Sequence, residues 1–186
     1  MERIDGHFLL ILGLSSASVK DARQLLSKLR KSLPRVELQV MRADRIAGEE
    51  HLSFAASNAL RAFGQKYKRS KSLGMEILLY ASCQRQISKA IQMLGVSPQT
   101  RAIAVVGLSK SKQALAMLPI IIEKVTGGKP NSKILEIGSG RKLLGLKKLY
   151  GITARELEAT RVSEERDEEV VKRLVVERSA LLAFEG

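Results

Sequence analysis

The sequence predicts an α+β fold: a single domain over residues 1–186, with a small mixed or antiparallel central sheet of three to five strands and about seven helices packed on it. Short apolar runs of strand length alternate with longer segments that have the 3.6-residue spacing of helices. Two or more helices separate the second and third predicted strands, which argues against a doubly wound parallel sheet. Apolar residues make up 45 % of the 186 residues, which is enough to build a sizeable core.

The first part of the chain has a strand, a helix and a second strand. His7 to Leu14 is a short apolar run that predicts a buried strand. Ser18 is a predicted N-cap for a helix that continues to about Ser32. Pro34 then closes the connection, and the alternation over Arg35 to Arg42 predicts a strand with one partly exposed face.

Three closely spaced helical segments lie between Glu50 and Gly95. The first has one continuous apolar face, formed by Leu52, Ala55, Ala56, Ala59, Leu60 and Phe63. The second, around Met75 to Leu79, is apolar on most sides and is predicted to be buried. The third places Ile87, Ala90, Ile91 and Leu94 on one face.

The later elements are one strand and several helices. Arg101 to Leu108 predicts a strand buried on both faces. Pro119 interrupts the apolar segment from Ser111 to Val125, so two helical pieces or a kink are expected there. Lys133 to Ile137 could form a short fourth strand, and Lys142 to Tyr150 has the pattern of a basic amphipathic helix.

The C-terminal part predicts two helices. Thr153 followed by Glu156 is a capping-box pattern at the start of the first. The second covers Glu164 to Leu182, and its apolar residues span more than one stripe. One face of this helix could therefore pack on the domain while another meets a partner, or all of these residues could belong to the domain's own core.

The charge is strongly positive and uneven. The formal net charge is +13, but residues 1–153 carry 26 basic and 10 acidic residues, whereas residues 154–186 carry 6 basic and 9 acidic residues. The positive electrostatic field of residues 1–153 favours the binding of polyanions, and nucleic acid is the commonest of these. A solvated basic surface, or a basic face that meets an acidic protein, is the alternative.

Side chains for catalysis or metal binding are sparse. The two histidines, His7 and His51, are far apart in the sequence, and with the one cysteine, Cys83, they do not form a metal-ligand set. A single cysteine also excludes an internal disulfide and favours a reducing compartment, here the cytoplasm. Since no uncharged apolar run of 18 residues occurs, a membrane span is not expected. We therefore predict that the chain is not an enzyme and needs no cofactor.

The segment KILEIGSG, from Lys133 to Gly140, is similar to the first motif of S-adenosylmethionine-dependent methyltransferases. Arg141 and Lys142 stand where that motif needs another small residue, and the chain that follows is too short for the remaining strands of that fold. A Gly-rich turn between a strand and a helix is the simpler interpretation, and the methyltransferase remains an alternative.

Glu76 is the one acid between Glu50 and Glu123. An acid within an apolar helix usually needs a cationic partner, and Arg85, across the turn to the third helix, is the predicted one. The pair would either hold the two helices together or orient Arg85 toward RNA.

The central block resembles the small, kinase-binding subunit of the KEOPS complex, the PRPK-binding protein (TPRKB) family, in its archaeal branch. The resemblance rests on the segments MEILLY and RQI and on Ile46, His51, Leu52, Ala56, Asn58, Ala59, Ser70 to Leu73, Ala90, Gly95 and Val96. The C-terminal run VVERSALL adds to it.

This resemblance implies a non-catalytic subunit of the complex that makes threonylcarbamoyladenosine in ANN-decoding tRNAs. Its partners would be the KEOPS atypical kinase subunit, tRNA through its 3′ CCA end, and indirectly the threonylcarbamoyl transferase subunit. A general basic RNA-binding protein is a further alternative.

Two sets of residues are therefore predicted as sites. The basic loop after the first helix of the central block and the polar edges of these helices are predicted to bind RNA: His51, Asn58, Arg61, Lys66, Lys68, Arg69, Lys71, Tyr80, Arg85, Gln86 and Lys89. The last helix is predicted to dock on the kinase-like subunit through Val171, Leu174, Val175, Arg178, Leu181 and Leu182.

Overall fold

The computed structural model describes residues 1–65, 68–138 and 140–184. Its strands form one antiparallel sheet in the order β1-β2-β4-β3, and the short β5 pairs with β2. The strands are β1 (Glu2–Ile4), β2 (His7–Ser15), β3 (Glu37–Arg42), β4 (Ile103–Ser109) and β5 (Lys129–Pro130). The predicted α+β class with an antiparallel sheet is confirmed.

The helices of the described residues cover both faces of this sheet. They are α1 (Ala22–Ser32), α2 (Glu49–Phe63), α3 (Leu73–Ser82), α4 (Ile87–Leu94), α5 (Lys112–Ala116), α6 (Leu118–Thr126), α7 (Arg141–Leu149), α8 (Ala154–Thr160) and α9 (Asp167–Phe184). Single 3₁₀ turns cover Ala43–Arg45 and Ser132–Leu135.

The period of two along the strands divides the core into two layers. Odd-numbered residues of β2, such as Leu9, face α2, α3 and α4. Even-numbered residues, such as Leu14, face α1, α5 and α6. Every residue of β4 is buried, as the apolar run of this strand predicted.

Gly107 in β4 allows the close approach of the helices on the second face. A Cβ at this position would lie 2.4 Å from Leu118 Cδ2 and 2.9 Å from Leu115 Cδ1. Any larger residue would therefore push α5 and α6 away from the sheet.

A third apolar cluster lies beside the first layer. It joins α7, α8 and α9 to Ala47 before α2, and its fully buried members include Leu146, Val170, Val171 and Val175. The predicted capping box begins α8, where Thr153 Oγ1 accepts from the Glu156 N–H and the Glu156 carboxylate accepts from the Thr153 N–H.

Two local predictions were wrong, two short strands were missed, and one prediction was confirmed. Helix α1 is capped by Asp21, not Ser18, because the Asp21 carboxylate accepts from the Gln24 N–H at 2.8 Å. The segment expected as a strand over Lys133 to Ile137 contains a 3₁₀ turn, and the short β1 and β5 were not predicted. The apolar segment around Pro119 is divided into α5 and α6, as expected. None of the helices in the described ranges combines the length and hydropathy needed to cross a bilayer.

Candidate nucleic-acid and partner interfaces

The basic loop between α2 and α3 is shaped by a buried carboxylate. Glu76 is fully buried, and its carboxylate accepts from the backbone N–H of Arg69 at 3.1 Å and of Ser70 at 2.9 Å. A buried carboxylate needs such hydrogen bonds to offset its desolvation. Glu76 therefore binds the loop backbone, whereas the sequence analysis predicted an ion pair between Glu76 and Arg85.

Arg69 connects this loop to the end of the C-terminal helix. Its guanidinium donates to the Leu182 carbonyl at 2.9 Å and to the Tyr80 hydroxyl at 3.4 Å, and lies 6.0 Å from the centre of the Tyr80 ring. A cation at a helix C-terminus is favoured by the partial negative charge of the last carbonyls. Arg69 is thus tied to the protein itself, and its assignment as an RNA contact stays a prediction.

His51 and Tyr80 are also unsuited to contact RNA, because both are buried. His51 is fully enclosed: Nδ1 accepts from the Ala47 N–H at 3.2 Å, and Nε2 donates to the Ala81 carbonyl at 2.9 Å. Burial lowers the pKa of His51 to about 4, so the ring is neutral at pH 7. Tyr80 is only 1 % exposed. Both residues were predicted to contact RNA, but in the folded protein their side chains are enclosed by the core.

His51 belongs to a buried polar junction between α2, α3 and α7. The edge of its ring meets the Tyr150 ring with centroids 5.9 Å apart. The Tyr150 hydroxyl donates to the same Ala81 carbonyl at 3.1 Å. This junction fixes the end of α3, from which the turn to α4 continues.

The remaining residues of the predicted RNA set are more accessible. Lys68 lies over the Phe63 ring at 5.0 Å, and Arg61 forms an ion pair with Asp5 at 3.2 Å. Asn58 is half-buried, and its amide nitrogen has no hydrogen-bond partner among the described residues. The exposed positions are Arg61, Lys68, Lys71, Arg85, Gln86 and Lys89, whereas Lys66 lies outside the described residues.

Helix α9 does not present the predicted docking face. Val171 and Val175 are fully buried, and Leu174 and Leu182 are 8 % and 4 % exposed. The Arg178 guanidinium is half-buried and donates to the Tyr150 carbonyl and to the Glu156 carboxylate. The alternative interpretation, that the apolar residues belong to the core, therefore applies to Val171, Leu174, Val175 and Leu182 but not to Leu181, which is 56 % exposed.

A groove between α1 on one side and α3 and α4 on the other was not predicted. Its volume is about 660 Å³, and seven apolar residues line it: Ala22, Leu26, Val40, Met75, Leu78, Ile91 and Val96. Arg23, Arg30 and Lys31 add positive charge, and its described lining contains no acidic residue. The exposed Ile91 was the one sequence signal, but periodicity assigned it to a buried face.

The 3₁₀ turn that precedes the Gly-rich segment is held by a lysine of the protein. Lys142 Nζ donates to the carbonyl oxygens of Ile134 at 2.8 Å and Leu135 at 3.0 Å, and burial lowers the pKa of this amine to about 8. Because a 3₁₀ turn precedes Gly138 and the sheet is antiparallel, the segment does not have the strand–turn–helix context of a methyltransferase motif.

Cys83 has a structural position at the end of α3. It adopts a left-handed conformation with φ 53°, and its thiol donates to the Val175 carbonyl at 3.8 Å. Burial raises the pKa of the thiol to about 12, so little nucleophilic thiolate is present at pH 7.

Comparison with protein-family models gives a match over nearly the whole chain. A search of curated proteins found none that matches the chain. The family model described as "Kinase binding protein CGI-121" matches residues 17–183, which include all of the elements from α1 to the last turn of α9. The chain therefore belongs to the CGI-121 family of kinase-binding proteins.

Proposed function

We propose that this protein is the non-catalytic small subunit of a cytoplasmic KEOPS-type complex that makes threonylcarbamoyladenosine in ANN-decoding tRNA. In this role it binds the atypical kinase subunit, recruits tRNA through the 3′ CCA end, and reaches the threonylcarbamoyl transferase subunit only indirectly. The family match over residues 17–183 carries the proposal, because it covers nearly the whole chain with a family of kinase-binding proteins. The excess of basic residues supports the RNA part.

The kinase-like subunit docks at the C-terminal end of α9 in this proposal. Leu181 is 56 % exposed and borders a cavity of about 250 Å³ that is also lined by Cys83, Met93 and Leu149. An exposed leucine beside a cavity of mixed polar and apolar lining can anchor a partner, since interface energy concentrates in a few such contacts.

Pull-down with the purified kinase-like subunit tests this docking site. Leu181→Glu is expected to abolish the complex and leave the melting temperature nearly unchanged, because the residue is exposed. Leu144→Glu is the matched control, since Leu144 is 65 % exposed on α7 and does not line this cavity. Complex formation by Leu181→Glu at wild-type affinity would place the kinase elsewhere.

The tRNA contacts lie on the exposed cations around α3 and α4. Lys71 directly precedes Ser72, the N-cap of α3, and Lys89 lies two residues before Ile91 on α4. Both are exposed and close in sequence to residues that line the groove, so a single strand of RNA can contact them with its phosphates.

Filter binding of tRNA at several salt concentrations tests these contacts. The double substitution Lys71→Glu and Lys89→Glu is expected to weaken binding and to reduce the slope of log affinity against log salt by roughly 0.7–0.9 for each phosphate that the variant no longer neutralises. Lys133→Glu with Lys148→Glu provides a control with the same change in charge at exposed positions of other elements. Equal weakening in both double variants would indicate general attraction by charge.

Removal of the CCA end separates specific recruitment from general RNA binding. We expect trimmed tRNA to bind much more weakly than the removal of three phosphates accounts for, because unstacked bases contribute stacking and hydrogen bonds at their edges. Equal affinity for intact and trimmed tRNA would instead favour a general basic RNA-binding protein.

A further inference from the structure

The loop between α2 and α3 is held from the inside by one carboxylate. Glu76 lies in the first turn of α3 and is fully buried. Its two oxygens accept from the Arg69 N–H at 3.2 and 3.1 Å, and one of them also accepts from the Ser70 N–H at 2.9 Å. Because a buried carboxylate is costly unless its oxygens are hydrogen-bonded, Glu76 favours a single course of the loop backbone at these two residues.

The Arg69 side chain gives the same loop a second anchor, on α9. Its guanidinium donates to the Leu182 carbonyl at 2.9 Å and to the Tyr80 hydroxyl at 3.4 Å. The Ser70 hydroxyl adds a local bond, since it donates to the carbonyl of Ser72, the N-cap of α3, at 2.7 Å. The loop is therefore fixed to α3 by its backbone and to α9 by a side chain.

The two lysines that flank this anchored pair are available to an external anion. Lys68 and Lys71 are exposed, whereas Ser70 between them is only 6 % exposed. Neither lysine forms an ion pair within the part of the chain that the structure describes, although Lys68 Nζ lies 5.0 Å from the centre of the Phe63 ring. Two cations are thus presented by a backbone that is already ordered in the free protein.

We propose that Glu76 and Arg69 are positioning residues for RNA binding. They hold the loop so that Lys68 and Lys71 contact phosphates of the RNA, and they do not touch the RNA themselves. Such preorganisation increases affinity, because the loop is ordered when the protein folds and not when the RNA binds. The inference rests on the proposed tRNA recruitment and names two residues on which it depends.

Filter binding of tRNA to Glu76→Gln separates positioning from general attraction by charge. The substitution removes a carboxylate, so attraction by charge alone predicts binding as tight as in the wild type or tighter. The glutamine amide, however, has one acceptor oxygen in place of two, so the loop is held less firmly. Positioning therefore predicts about tenfold weaker binding, which is roughly the cost of ordering one backbone residue.

The salt dependence of binding separates positioning from direct contact. In Glu76→Gln, both lysines still neutralise phosphates in the complex, so the slope of log affinity against log salt should keep its wild-type value. Lys71→Gln should weaken binding and reduce this slope by roughly 0.7–0.9. Arg69→Gln should weaken binding without a change in slope. Arg69→Lys, which keeps a donor for the Leu182 carbonyl, should restore part of the affinity.

Two controls accompany these variants. Glu158→Gln removes an exposed carboxylate from α8 and should bind tRNA at least as tightly as the wild type. Melting temperatures show which variants are folded at the temperature of the assay. If Glu76→Gln is not, the comparison of Arg69→Gln with Arg69→Lys decides the question.

The inference is overturned if Glu76→Gln binds tRNA as tightly as Glu158→Gln, or if Arg69→Gln reduces the salt slope as Lys71→Gln does. It is also overturned if Arg69→Gln and Lys71→Gln weaken the kinase complex and leave tRNA binding unchanged, since the loop would then bind an acidic segment of that partner. The proposed tRNA recruitment itself fails, and this inference with it, if the Lys71/Lys89 double variant binds tRNA as tightly as the wild type.

Discussion

Helices α9 and α4 both carry apolar stripes flanked by charged residues, yet the fold uses them differently. On α9, Val170, Val171 and Val175 are fully buried in the third apolar cluster. On α4, Ile87 and Ile91 remain 39 % and 49 % exposed, and Ile91 lines a groove. An apolar stripe in a sequence thus indicates that a helix face will be buried. It does not indicate whether that face is buried in the protein's own core or by a bound partner.

The difference follows from the neighbours of each helix. Helix α9 packs against α2, α3, α7 and α8, so it is enclosed on several sides. Helix α4 has eight residues and buries only Ala90 and Leu94. Four predictions test this comparison between the enclosed α9 region and the open groove.

The largest effect is expected from a charge inside the α9 region. Val171→Glu should cost at least about 4 kcal/mol, out of a total of roughly 5–15 kcal/mol for a typical domain, because a buried charge has no partner there. Thermal and urea unfolding measure it, with the exposed Leu181→Glu as control. A stable, folded Val171→Glu variant would show that α9 is not enclosed.

The second effect is a loss of stability in mild acid through His51. Its pKa is lowered to about 4 in the folded state, compared with about 6.5 in the unfolded chain, so the unfolded state binds more protons between these values. The contribution of His51 to the free energy of unfolding is fully present above pH 6.5. It falls by about 3 kcal/mol as the pH drops to 4. Urea unfolding against pH, compared with His51→Gln, measures the slope, and an equal slope in both proteins would contradict the role of His51.

The third effect concerns the link between the basic loop and α9. Arg69→Ala removes a charged donor from the Leu182 carbonyl and should cost about 1–3 kcal/mol in the free energy of unfolding. Lys71→Ala, in the same loop and exposed, should change it by less than about 0.5 kcal/mol. If both variants are equally stable, Arg69 does not hold the helix end and is again available to RNA.

The smallest effect is expected in the groove. Gln39→Leu should leave the free energy of unfolding unchanged or raise it by about 1 kcal/mol, because an enclosed amide oxygen without a partner is removed. Chemical unfolding of the free protein measures it. A clear loss of stability would mean that Gln39 has a structural role, like His51.

The sequence predicted the main strands and helices because their apolar periods are long and regular. It failed at Lys133 to Ile137, where a short apolar run fits a strand and a buried 3₁₀ turn equally well. It missed β1 and β5 because a strand of two or three residues has no period to detect.

The site was harder to predict, since it depends on which surfaces meet in three dimensions. His51, Glu76 and Tyr80 were noticed as polar residues on apolar helices, but only the fold shows that they are buried and bonded within the protein. Gln39 lies in a strand in which apolar and polar residues alternate, and this pattern does not predict a groove formed by α1, α3 and α4.

Hydrogen–deuterium exchange with and without saturating tRNA tests the central claim, that tRNA meets the open groove and not the enclosed helix. In the free protein, amides over residues 170–182 should exchange slowly, because they are opened only by unfolding of the core. Addition of tRNA should then slow exchange over residues 22–31, 72–78 and 91–96 and leave residues 170–182 unchanged. Protection that appears over residues 170–182 and is absent from the groove would contradict this account.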